Sequence, residues 1–182
     1  MWDFVEGRAV NTKADERAAA IALRTVHSAL ADVDAELPSF IVKIESCEII
    51  LANPNEAPSL EPGDRRFLTK LYETLSGRLS AITGVWQPLH GDAHLGNVRI
   101  SRTGAIWMDL EAVCRGPVEW DVASLPPASW RHFPDLDQAV MRLLTDVRSL
   151  CVAIWCWAEF DRSAATREAA INHLGTLKDR FA

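Results

Sequence analysis

His90-Gly91-Asp92-Ala93-His94-Leu95-Gly96-Asn97 is the stretch that decides how this chain folds. It places two histidines, an aspartate, an asparagine and two glycines between extended apolar segments, residues 85–89 before it and residues 98–100 after it. Polarity at this density is poorly explained by packing. Residues 98–100 and 105–110 are apolar runs flanking Ser101-Arg102-Thr103-Gly104, a pattern that predicts a β-hairpin with a four-residue loop. Asp109 follows Ile106-Trp107-Met108, twelve residues beyond Asn97, and is expected at the mouth of that hairpin. Asp92, Asn97 and Asp109 are therefore expected to converge at one end of a short sheet.

Two carboxylates and an amide suit phosphoryl transfer. One carboxylate must orient and deprotonate the attacking hydroxyl, and two oxygen ligands must hold Mg²⁺ ions that neutralise phosphate charge. Mg²⁺ is a hard cation that prefers such oxygens. An aspartate followed five residues later by an asparagine, with a further aspartate closing the metal site, is the protein-kinase arrangement.

On these residues the sequence resembles the aminoglycoside phosphotransferase and choline kinase-like enzymes, which have a protein-kinase-like fold. The family pattern H-G-D-x-x-x-x-N is matched by His90, Gly91, Asp92 and Asn97, and its following aspartate by Asp109. Gly116-Pro117-Val118-Glu119-Trp120-Asp121-Val122-Ala123 is similar to the family segment G-x-x-x-W-D-L-A that braces the catalytic loop. The resemblance implies Asp92 as catalytic base, Asn97 and Asp109 as metal ligands, His90 and Asp121 as supports, ATP and Mg²⁺ as cofactors, and a small-molecule hydroxyl as acceptor.

The resemblance covers the large, C-terminal lobe of such an enzyme. No phosphate-covering glycine pattern of the nucleotide-binding lobe is visible, and none of the lysines Lys13, Lys43, Lys70 and Lys178 lies on a strand of the expected kind. Trp2-Asp3-Phe4-Val5-Glu6-Gly7-Arg8 resembles the inter-lobe connection, so residues 1–12 are read as connection and residues 13–182 as the lobe. The chain alone is then expected to be nearly inactive, and to self-associate through the face an N-terminal lobe would cover.

Outward from the motif the pattern is helical. After an extended opening over residues 2–10, Thr12 and Asp15 form a capping box for a helix to about Glu36. Residues 39–62, with Asn53-Pro54-Asn55, read as a long connection holding one short apolar segment. Phe67, Leu68, Leu71, Tyr72, Leu75, Leu79 and Ile82 repeat at helical spacing with Asp64 as a cap. Residues 119–125 have room for two turns before Pro126-Pro127. A long helix is expected over residues 135–160, and Ser163 caps a last one whose face carries Ala170, Ile171, Leu174, Leu177 and Phe181. The fold class is α+β, predominantly helical, with a small hairpin at the catalytic loop.

The chain has 182 residues and a net charge of −6. That charge would repel a phosphate backbone and argues against nucleic acid as partner. No stretch approaches the roughly 20 apolar residues of a membrane span, and Cys47, Cys114, Cys151 and Cys156 lack C-x-x-C spacing, so reduced thiols in the cytoplasm are expected.

Two alternatives stand beside the kinase reading. The chain could be a non-catalytic remnant or binding module. His90, Asp92 and His94 could instead ligate zinc as H-x-D-x-H in a metallohydrolase. His27 is read as a packing residue of the first helix, and His132 and His173 as solvent-facing. Trp155 and Trp157 could stack on a cationic substrate, and Glu111, Glu119, Glu159 and Asp161 could bind amines.

Overall fold

The computed structural model describes residues 6–33 and 35–182. The Trp2-Asp3-Phe4-Val5 segment of the expected connection lies outside the described residues. The chain divides into two compact units, residues 1–40 with 84–141 and residues 41–83 with 142–182.

In the first unit the leading helix begins where the sequence places it. Thr12 Oγ1 accepts from the Asp15 amide at 3.1 Å, and Asp15 returns a carboxylate oxygen to the Thr12 amide at 3.1 Å, capping α1 (Lys13–Ala31). The helix stops at Ala31, short of Glu36. Ala19, Ala20 and Leu23 turn its buried face onto Val98, Trp107 and Val122 in the core of this unit, and the Trp107 indole donates to the Ala19 carbonyl at 2.9 Å.

Arg8 completes that cap. Its guanidinium grips Asp15 with both ends, Nη1 to Oδ2 at 2.6 Å and Nη2 to Oδ1 at 2.8 Å. The Arg8 hydrogen bond holds the Asp15 carboxyl well below the usual carboxylate range, with the Asn11 amide and the Thr12 side chain adding to it against the opposing effect of desolvation. An unfolded aspartate titrates near pH 3.9, so the unfolded chain takes up a proton that the folded chain refuses. The stabilisation is complete above about pH 4 and is lost as pH falls further. Melting temperatures of the native chain and Asp15→Asn, taken from pH 7 down to pH 2, are expected to draw closer as pH falls below about 4. A gap independent of pH would show that the ionised carboxylate is not its source.

Two antiparallel pairs frame the motif. Strand β1 (Gln87–Leu89) pairs with β4 (Cys114–Gly116), Leu89 opposite Cys114. Strand β2 (Val98–Ser101) pairs with β3 (Gly104–Trp107), with Val98 opposite Trp107 and Ser101 opposite Gly104. The hairpin loop is thus the two residues Arg102-Thr103, tighter than the four expected. Ser101 Oγ accepts from the Thr103 amide at 3.1 Å and donates to the Gly104 carbonyl at 3.0 Å, and Gly104 supplies the positive φ of 133° that the turn needs. The one-turn helix α4 (Glu119–Val122) follows β4, and α5 (Gln138–Ala158) begins in this unit and continues into the second.

The second unit is helical: α2 (Ile41–Ala52), α3 (Pro62–Ser76), most of α5, and α6 (Ala164–Phe181). Helix α2 occupies what the sequence suggested was a connection. Arg65 explains part of its stability, donating to the Ile50, Leu51 and Ala57 carbonyls at 3.0, 3.1 and 2.7 Å; three acceptors around a helix C-terminus would otherwise need water. Asp64 does not cap α3. Glu61 is the residue before its first turn, and Asp64 pairs with Lys178 at 2.5 Å. Ser163 caps α6 as expected, accepting from the Thr166 amide at 3.0 Å. Ala170, Leu174 and Leu177 are buried, whereas Ile171 and Phe181 are exposed. His173 is part-buried and hydrogen-bonded to Ser149 Oγ at 2.9 Å, not solvent-facing, and burial pushes its imidazolium below the ordinary histidine range. No helix among the described residues is long and apolar enough to cross a membrane, and none of the four cysteines is in a disulfide.

Candidate active site

The polar loop leaves β1 at His90 and enters β2 at Val98, and its shape is fixed from beneath. The Asp121 side chain is fully buried. Its Oδ2 accepts from the His90 amide at 2.8 Å and its Oδ1 from the Gly91 amide at 2.9 Å. A buried carboxylate is stable only with such donors, and a third comes from His27 on α1, whose Nε2 stands 2.8 Å from Oδ2. The neighbouring Trp120 indole donates to the Gly91 carbonyl at 3.1 Å. Trp120 and Asp121, adjacent in sequence, thus hold both sides of the Gly91 peptide.

Gly91 itself tolerates no side chain. Its φ is 82°, and a Cβ would run into the Ala112 carbonyl oxygen. The absence of a side chain lets the loop lie directly against the turn preceding β4.

His90 is fully buried, edge-on to Trp107 with ring centroids 5.2 Å apart. Its Nε2 donates to the Met108 carbonyl at 2.9 Å. Because a carbonyl can only accept, the neutral ring carries its proton on Nε2 and leaves Nδ1 as acceptor, facing the Asp92 amide at 3.4 Å. His94 is half-exposed, and its Nδ1 accepts from the Gly96 amide at 3.0 Å, capping the 3₁₀ turn Leu95–Asn97. Its Nε2 lies 3.5 Å from Asp92 Oδ2. The H-x-D-x-H run is therefore not a zinc ligand set: His90 is spent on the backbone, and no group of three His, Cys, Asp or Glu among the described residues could hold a metal.

Asn97 reaches back across the loop. Its Nδ2 donates to the Asp92 carbonyl at 3.0 Å and stands 3.5 Å from Asp92 Oδ2, which turns Oδ1 away from that contact. The Asn97 carbonyl accepts from the Met108 amide at 2.9 Å, adding a rung beneath the hairpin ladder. Met108 is thereby clamped twice, its N–H by Asn97 and its C=O by His90, and Asp109 is the next residue. The Asp109 backbone is left-handed, φ 62° and ψ 67°, a conformation costing a non-glycine residue on the order of 1 kcal/mol and associated with functional sites. The Asp109 side chain is exposed and makes no hydrogen bond among the described residues.

His27 is the residue that sequence reasoning undervalued. A histidine beside an apolar helical stripe reads as packing, and the partner that a buried imidazole requires lies 94 residues away. Glu119 is not a surface carboxylate: it is buried, and its Oε1 accepts from the Asp137 amide at 2.9 Å. In the second unit the Trp155 face is covered by Arg148, 5.9 Å from the ring centroid, and Trp157 stacks on Phe160 at 4.5 Å.

Solved structures share this architecture. Choline kinase LicA from Streptococcus pneumoniae superposes with a TM-score of 0.68 at 14% identity, covering 92% of this chain and 63% of its own. Amicoumacin kinase hAmiN, solved with AMP-PNP, Ca²⁺ and Ami, gives 0.63 at 15%, covering 98% and 64%. APH(2")-IIia, solved with GDP and kanamycin, gives 0.68 at 12%, covering 98% and 70%. The chain thus spans less than two thirds of the length of the first two. These superpositions give the fold, the C-terminal lobe of a protein-kinase-like fold. Among curated proteins none matches in sequence. A sequence profile of the phosphotransferase enzyme family matches residues 1–159, a span that includes the Asp121-braced loop and the clamped Met108 peptide; the chain belongs to that family.

Proposed function

We propose that this lobe serves the transfer of the γ-phosphoryl group of ATP to the hydroxyl of a small molecule. The observation that carries the reading is the double clamp on Met108, which ties Asp109 to the same braced loop that pairs Asp92 with Asn97. Catalysis of phosphoryl transfer is mostly positioning and electrostatics, and one rigid unit presents a base and two oxygen ligands. Asp92 orients the acceptor hydroxyl and takes its proton. Asn97 fixes Asp92 from one side, and Asp121 and Trp120 fix the loop from below.

The donors fit Mg²⁺. The Asp109 carboxylate and the Asn97 Oδ1 make no hydrogen bonds among the described residues, and both are the hard oxygens that Mg²⁺ selects. When bound there, Mg²⁺ neutralises charge on the phosphates. Residues 1–12 serve as the connection and residues 13–182 as the lobe that carries acceptor and metal. The relatives solved as choline kinase and with kanamycin support an amino alcohol as acceptor, and a cytoplasmic, ATP-containing compartment suits the reaction.

Titration with Mn²⁺, a paramagnetic stand-in for Mg²⁺, tests the ligand assignment on the chain as it is. Broadening of amide signals is expected to begin at Asn97 and Asp109, and to disappear from both in Asp109→Ala. Broadening centred elsewhere, or unchanged in that variant, would remove the metal site from these residues.

A further inference from the structure

His27 has a second face. Its ring is 7% exposed, its Nε2 is committed to Asp121, and its Nδ1 makes no hydrogen bond among the described residues. The ring lines a cavity of about 500 Å³, together with Arg24, Ser28, Gln87, Phe133 and Pro134. That size is within the roughly 300–1,000 Å³ usual for small-molecule sites. Arg24, His27 and Ser28 reach it from one face of α1, being three and four residues apart.

Arg24 lines the cavity, and Arg17 and Arg131 stand with it near His132, the chain neighbour of the lining residue Phe133, although the chain as a whole carries −6. Arg17, Arg24 and Arg131 make no ion pair among the described residues, and after desolvation it is the charges of Arg131, Arg17 and Arg24 that hold His132 below the ordinary histidine range. Arg17 and Arg24, seven residues apart, share a face of α1. The floor is apolar, from Phe133 and Pro134.

We propose that this cavity is a second ligand site that takes a small phosphomonoester with an apolar body. Arg24 donates to the phosphate oxygens. Asp121 can only accept, so the neutral His27 ring carries its proton on Nε2 and turns a lone pair to the ligand at Nδ1. A phosphomonoester in its monoanionic form, below its second ionisation at about pH 6, brings a proton of its own to that lone pair, which a carboxylate does not. The apolar body lies on Phe133. Because the same imidazole holds Asp121, and Asp121 holds the His90 and Gly91 amides, occupancy reaches the loop through two hydrogen bonds. The site is independent of the reaction proposed above.

Phenyl phosphate is the probe, titrated into the full chain and followed by calorimetry and by the ¹⁵N signals of the His27 ring and the His90 and Gly91 amides. Saturable binding is expected, weakened about tenfold by Arg24→Ala, as suits loss of a charge-assisted hydrogen bond, and unchanged by Arg102→Ala at the hairpin tip. Benzoate is expected to bind more weakly and phenol not to saturate. Binding without saturation, or equal in Arg24→Ala, overturns the site. Equal binding of benzoate overturns the phosphomonoester. A His27 shift with static His90 and Gly91 amides overturns the link to the loop.

Discussion

Asp92→Asn is expected to lower phosphoryl transfer by about 10²–10⁴-fold, the usual worth of a positioned general base, while nucleotide affinity stays largely unchanged. The measurement calls for a two-lobe form, residues 1–182 joined behind the nucleotide-binding lobe of a kinase-like relative, because the triphosphate needs contacts on both sides. Asparagine keeps the size of Asp92 and the backbone carbonyl that Asn97 Nδ2 reaches at 3.0 Å. What it loses is the oxygen able to take the proton of the acceptor hydroxyl. Asp109→Asn should behave differently, weakening nucleotide binding in a metal-dependent way, since its carboxylate faces no protein donor among the described residues. Equal loss of nucleotide affinity in both variants would contradict the division of roles between base and metal ligand.

Asp121→Ala has the second large effect, and it falls on stability. The substitution strips a partner from the His90 amide, the Gly91 amide and His27 together. Breaking a buried charged network from one side costs about 3–5 kcal/mol, a large part of the stability of a domain this size. Urea unfolding of the 182-residue chain measures it, and hydrogen exchange at the His90 and Gly91 amides localises it. Asp121→Asn is no rescue, because its NH₂ group would face a donor at one of the two oxygen positions. A loss under about 1 kcal/mol in Asp121→Ala, the size of an average substitution, would mean that the loop is held by other contacts.

The elements legible in the sequence are those whose signals are local. The Thr12–Asp15 box, the helical spacing of Leu68, Leu71 and Leu75, the hairpin around Arg102-Thr103 and the Ser163 cap each lie within a few residues of what they control. Helix α2 was hidden because Ile41, Val42, Ile44, Ile49 and Ile50 are β-branched and favour strands by intrinsic preference, while a distant arginine, Arg65, closes the helix end. Strand β4 was hidden because three residues carry no period. In the candidate site the spacing of Asp92, Asn97 and Asp109 was legible, as was the Trp120-Asp121 brace by resemblance. The left-handed backbone of Asp109 was not, nor was the pairing of His27 with Asp121, since neither leaves a trace in neighbouring residues.

The rung between the Asn97 carbonyl and the Met108 amide carries a consequence for how such a lobe can vary. A hairpin is a detour of the chain that returns to the level from which it left. Asn97 and Asp109 stand on either side of the return point, so their separation in space is set by that rung and not by the residues counted between them. Length can be added in opposed pairs beyond Ser101 and Gly104, or removed there, without altering the reach from one ligand to the other. The geometry of the chemistry is thereby insulated from changes in the length of the hairpin.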